Sequence, residues 1–121
     1  MNHLPSPAGV VLRRIRQRLK ISARAMAEMC CFSQPFLSNV ENGVKSPPRG
    51  FADRVSIACG LTDNEREALV KACQMSTEVF KREEDNPLLR EVRFKLSRNL
   101  HRMSNDVLAK ISDIIKNPED D

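Results

Sequence analysis

Apolar residues recur along this chain at helical intervals, and Val, Ile and Thr alternate with polar residues over no long stretch. Leu12, Ile15 and Leu19 stand at i, i+3 and i+7, with Arg13, Arg14, Arg16, Arg18 and Lys20 between them. That is the stripe of a helix with one dry face. Ser6-Pro7 supplies a cap and a first turn. A helix is therefore predicted from there to about Lys20, behind an unstructured arm at residues 1–5. Ser22 caps a second helix over Ala23 to Cys30, with Met26, Met29 and Cys30 turned inward. After a short turn Ser33 caps a third, which tolerates Pro35 because first-turn N–H groups lack helical partners. Phe36, Leu37 and Val40 form its apolar side, and Asn42-Gly43 stops it.

Val44 to Pro48 reads as a loop. A fourth helix is predicted from Arg49 to Cys59, burying Phe51, Val55 and Ala58 and ending at Gly60. Thr62 and Glu65 make a capping box for a fifth that runs to about Gln74. Ser76 or Thr77 then opens a separate turn carrying Val79 and Phe80, and Met26, Met29 and Met75 fall at core spacing. The charged run 81–85 is predicted as a joint between subdomains, which divides the chain into 1–80 and 81–121. Asn86-Pro87 repeats the logic of Ser6-Pro7 and opens a helix striped by Leu89, Val92, Leu96, Leu100 and Met103. Ser104 caps a last helix with Val107, Leu108, Ile111, Ile114 and Ile115 on one face, ended by Asn117-Pro118 before a frayed acidic tail.

Composition agrees with an all-α chain: 121 residues, no Trp or Tyr, five Phe. The net charge of +4 is unevenly spread. Residues 1–60 hold nine Lys/Arg against three Asp/Glu, residues 61–121 eleven against thirteen. The first half is the one suited to a polyanionic partner. No signal-peptide or membrane-spanning run is present, so a cytoplasmic protein is expected. Cys30, Cys31, Cys59 and Cys73 form no C-x-x-C pair and lie far in sequence from His3 and His101, so neither metal nor cofactor is expected. The four thiols read as small buried side chains. No paired carboxylates or nucleophile–base set points to an enzyme.

Two short helices joined by a tight turn, the second opening on Ser33-Gln34, make a helix-turn-helix pattern. The DNA major groove admits one helix, and the preceding helix aims its N-terminal end at base edges. Helical spacing gathers Gln34, Pro35, Ser38 and Asn39 on one face, opposite Leu37 and Val40. That face is uncharged, and Lys45 and Arg49 follow just beyond it. Neutral readers flanked by cations is the division a groove and its phosphates require. The competing reading of the same residues is a solvated polar face.

The run from Ile21 to Gly43, above all Ser33-Gln34 with Leu37-Ser38-Asn39-Val40-Glu41-Asn42-Gly43, resembles the Xre-type, lambdoid phage-repressor and Cro-like helix-turn-helix family. The resemblance covers about residues 9–75. It implies a five-helix lambda-repressor-like domain, followed here by a C-terminal helical extension. It further implies that Gln34 and Ser38 face bases, with Gln34 suited to an adenine edge, and that Asn39 sits at the groove rim. Ser33 and Pro35 would belong to the same reading end. Ser22 and Asn42 would hold phosphates, with Arg24 and Lys45 as further cations and Arg49 near the minor groove. Arg16 and Glu41 fall where the family places an internal ion pair. Three residues depart from the pattern. Ala23 replaces a bracing Gln, Pro35 replaces a polar reader, and Cys31 replaces the turn Gly, at a cost of roughly 1 kcal/mol if it is left-handed.

A dimeric repressor of a palindromic operator is expected from this resemblance together with the apolar C-terminal stripes: Leu89, Val92, Leu96, Leu100, Val107, Leu108, Ile111, Ile114 and Ile115 either pack back on the fifth helix or, the favoured reading, form the dimerisation surface. The alternatives are an antitoxin-type autorepressor whose C-terminal helices bind a toxin, and a helix-turn-helix adaptor that binds protein alone.

Overall fold

The computed structural model describes residues 5–115, which form an all-α chain without a strand. Helices α1 (Pro7–Leu19), α2 (Ala23–Cys30), α3 (Gln34–Glu41), α4 (Phe51–Cys59) and α5 (Asp63–Asp85) come first. They are followed by α6 (Pro87–Asn99), a 3-10 turn (Leu100–Arg102) and α7 (Asn105–Ile114). Residues 1–4 of the expected arm at 1–5, the Asn117-Pro118 stop and the acidic tail lie outside the described residues.

Local chemistry explains most boundaries. Ser6, Ser22, Ser33 and Ser104 each accept a hydrogen bond from the backbone N–H three residues on, which satisfies a donor the helix itself leaves free. Thr62 and Glu65 cap each other reciprocally. Leu12, Ile15, Met26, Leu37, Val40, Val55 and Leu69 close into one core. In that core α1 lies along α5, and α2 is wedged between α3 and α4.

Four expectations need correction. The fourth helix starts at Phe51 rather than Arg49, because Gly50 is left-handed at φ +80° and cannot belong to a helix. The fifth does not stop at Gln74: α5 runs unbroken to Asp85, through both the predicted turn and the predicted joint. Ser76 is an interior residue of α5 and not a cap, its buried Oγ accepting from Ala8 N of α1 at 2.9 Å. Thr77 donates back to Cys73 O within the helix, at 3.0 Å. Within the charged run Glu83 is 3 % exposed and paired with Arg93, so the segment is a packed helix end. Third, Met29 and Met75 are 45 % and 55 % exposed. The inward lines are Met26, Ala27, Cys30 on α2 and Leu69, Ala72, Ser76 on α5. Finally, Cys31 is exposed, Cys73 half-buried, and only Cys30 and Cys59 belong to the core.

Burial has a chemical consequence for the thiols. Desolvation, with the neighbouring Cys59 second, pushes Cys30 up to about 12, and desolvation alone pushes Cys73 up to about 11. The reactive species is the thiolate. A maleimide at neutral pH is therefore expected to modify Cys31 alone in the native protein, and all four cysteines after unfolding. Peptide mapping of the adducts checks this, and native labelling at Cys30 would contradict it.

Gly9 supplies a second test. A Cβ there would stand 2.3 Å from the Glu41 carbonyl oxygen, so α1 and the end of α3 are in backbone contact. On an open helix Gly→Ala gains roughly 0.5–1 kcal/mol. Here Gly9→Ala is expected to lose about 1–3 kcal/mol through overpacking, measured by urea denaturation.

Candidate nucleic-acid interface

The unit formed by α2, its turn and α3 is held at its near end by aromatic packing. Phe32 stacks on Phe51 with ring centroids 5.3 Å apart and meets Phe36 at 5.0 Å. This joins the turn, α3 and α4 in one cluster, a geometry favoured beyond simple burial. Cys31 takes the left-handed conformation at φ 58° and offers its N–H to the Ala27 and Glu28 carbonyls. Arg54 on α4 reinforces the turn. Its Nε donates to Cys30 O at 2.8 Å, its Nη2 to Cys31 O at 3.2 Å, and the guanidinium lies 4.7 Å from the Phe32 ring centre.

The far end of α3 is closed by donors from α1. Ser6 donates its hydroxyl to Val40 O at 2.9 Å and its N–H to Glu41 O at 2.7 Å. The Glu41 side chain points inward and pairs with Arg16 through both carboxylate oxygens. Side-chain exposures of 12 % for Arg16 and 7 % for Glu41 make this a buried pair. Arg93 on α6 then donates to the next carbonyl, Asn42 O, at 3.1 Å.

With both ends fixed, the opening turns of α3 face outward. Gln34, Pro35 and Ser38 are exposed, and Asn39 is half-buried. Ser33 is spent on capping, its Oγ accepting from Phe36 N. Ser22 caps α2 in the same way. The Nδ2 of Asn42 lies 3.3 Å from Ser38 Oγ, to which it donates, while its Oδ1 is buried without a partner. Lys45 is exposed, with its ammonium 5.8 Å from the Phe36 ring centre. Arg49 is exposed in the loop before α4. Neither makes an ion pair among the described residues. Arg24 is exposed and loosely paired to Glu28 at 3.5 Å.

The structure thus gathers Gln34, Pro35 and Ser38 on one open surface, flanked by cations. It brings Arg16 and Glu41 together beneath that surface. Sequence reasoning missed Arg54, Arg93 and Glu83. Each is a charged residue that nothing in its local sequence sets apart, and only its distant partner marks it out.

This arrangement defines a helix-turn-helix protein, a class of DNA-binding regulators. A family model described as a helix-turn-helix domain matches residues 8–69, just over half of the chain, and the chain belongs to that family. The match contains the whole Ile21–Gly43 run and ends partway along α5. No curated protein and no solved structure matches the chain. No helix among the described residues is long and apolar enough to cross a membrane.

The buried pair makes a quantitative expectation. Removing Arg16 strands the Glu41 carboxylate away from water. Arg16→Ala is expected to cost roughly 3–5 kcal/mol. The double variant with Glu41→Ala should recover part of that loss, which a double-mutant cycle by chemical denaturation measures.

Proposed function

We propose that the protein is a sequence-specific double-stranded DNA-binding regulator that acts as a homodimeric repressor on a palindromic operator. The observation that carries the reading is the exposed, uncharged surface of Gln34, Pro35 and Ser38 at the start of α3, with free cations beyond it. A helix presented this way enters the major groove by its N-terminal end. Gln34 offers the donor–acceptor pair that matches adenine N7 and N6. Ser38 is a second, shorter reader, and Asn39 lies at the rim. Pro35 has no polar group to offer, so groove shape carries a share of the selectivity at that position. Arg24, Lys45 and Arg49, with Ser22 and Asn42, serve the phosphates.

The dimer reading is supported by the C-terminal helices. Leu88, Val92, Val107, Ile114 and Ile115 are 42–77 % exposed. No helix among the described residues packs extensively on α7. Exposed apolar residues concentrated on two helices suit an association surface, and a second copy doubles the reading helix.

Gln34→Ala is expected to weaken binding to a sequence selected from random duplexes by roughly 1–3 kcal/mol while leaving non-specific binding nearly unchanged. An equal loss on all DNA would exclude base reading by Gln34. The dimer is tested separately. Val107→Glu with Ile114→Glu should give a folded monomer by analytical ultracentrifugation, and a persistent dimer would place the interface elsewhere.

A further inference from the structure

One side chain ties the C-terminal helices to the end of the reading helix. Arg93, on α6, engages the buried Glu83 carboxylate of α5 with two of its nitrogens, Nη2 donating to Oε2 at 3.0 Å and Nε to Oε1. Its third nitrogen, Nη1, donates to the carbonyl of Asn42, the C-cap of α3, at 3.1 Å. The guanidinium lies flat against Gly43, where a Cβ would meet all three of its nearest guanidinium atoms at 3.6 Å. Glu83 and Arg93 side chains are 2 % and 18 % exposed, and Arg90 stands 3.8 Å away as a second cation.

The planar fork of an arginine suits this task because it holds several acceptors in fixed directions. Here it pins three elements at one point. One of them, α5, is a continuous 23-residue helix that also carries Ser76, the hydroxyl bonded to Ala8 of α1. The carboxylate that Arg93 grips is therefore part of the same rigid frame as the reading helix. Rotation of α6 about α5 would break the bond to Asn42 O. The contact is also dispensable for α3 itself, since Ser6 and Arg16 already hold the preceding residues.

We propose that Arg93 is a positioning residue that sets the spacing at which two copies of this protein read DNA. The inference rests on the DNA-binding and paired-arm reading above. If two copies join through α6 and α7, the distance and twist between their α3 helices follow from the angle between each arm and its own reading helix. One base pair advances the strand by about 3.4 Å. Half-sites must match that geometry, because DNA resists the bending and twisting needed to meet a wrong one. Arg93 fixes the attitude of α6, the first helix of that arm, against the reading helix, and so narrows the preferred spacer.

The test uses the full chain. A half-site selected from random duplexes by the wild-type protein is placed in pairs with the spacer varied one base pair at a time. Wild type is expected to prefer one spacer by about tenfold over its neighbours, and Arg93→Gln to flatten that preference to about threefold or less. Affinity for a single half-site should stay within about twofold, as expected for a residue that does not touch DNA. A change in stability alone would weaken all spacers alike. An unchanged spacer profile in Arg93→Gln overturns the proposal. So does a wild-type protein that reads a half-site but prefers no spacer, an outcome that leaves DNA reading intact. A wild-type protein that selects no sequence at all removes the DNA reading, and this inference with it. If circular dichroism shows Arg93→Gln unfolded, Arg93→Lys replaces it. Its ammonium still neutralises Glu83 but has no second nitrogen for Asn42, and the same flattening is expected.

Discussion

A carboxylate buried at the C-terminal end of the reading helix sets the terms for the elements around it. Glu41 is doubly unfavourable where it stands: it is out of water, and it lies at the negative end of the α3 dipole. Arg16 neutralises it, and can do so only if α1 passes close by. Close passage is what Gly9 permits, with its Cα set against the Glu41 carbonyl. The same approach lets Ser6 serve two roles, capping α1 and donating to Val40 and Glu41. Ser76 of α5 then bonds to the start of α1 from behind. One charge thus accounts for the close passage of α1 across the end of α3, with α5 bonded to α1 behind it.

The opposite end of α3 is built from other materials. There the cluster of Phe32, Phe36 and Phe51 and the Arg54 bonds provide rigidity without burying a carboxylate. This suits a surface that must meet a polyanion. The residues that face outward are uncharged, and the flanking Lys45 and Arg49 make no ion pair among the described residues. Positive charge is engaged by partners of the protein's own at Arg16, Arg54 and Arg93, and left without an ion pair at the edges of the reading face.

What was legible in the sequence was local. The four serine caps and the Thr62–Glu65 box depend on residues within three positions, and each was readable directly. The buried Arg16–Glu41 pair became legible only through family resemblance, because its partners are 25 positions apart. Ser76 was misread as the cap of a new turn: its hydroxyl serves Ala8, 68 positions upstream, so the chain was broken where α5 in fact continues. The run 81–85 looked like a solvated joint because nothing local distinguishes Glu83 from Glu84; only Arg93 does. Met29 and Met75 were misplaced for a different reason. A stripe of a hundred degrees has edges, and an unbranched side chain is equally at home on either side of them.

The left-handed turn at Cys31 bears on what kind of object the motif is. Its conformation is one that Cys does not favour, and two hydrogen bonds from Arg54, on a helix outside the two-helix unit, hold it there. The turn between α2 and α3 is therefore held by two sets of bonds, one within the segment from Ser22 to Gly43 and one from α4. Grafted without Phe51 and Arg54, the same residues would lose the ring stacking and the two arginine bonds that brace the turn. The self-braced unit here is the three-helix frame, and its boundaries are drawn by tertiary contacts rather than by the turn that gives the motif its name.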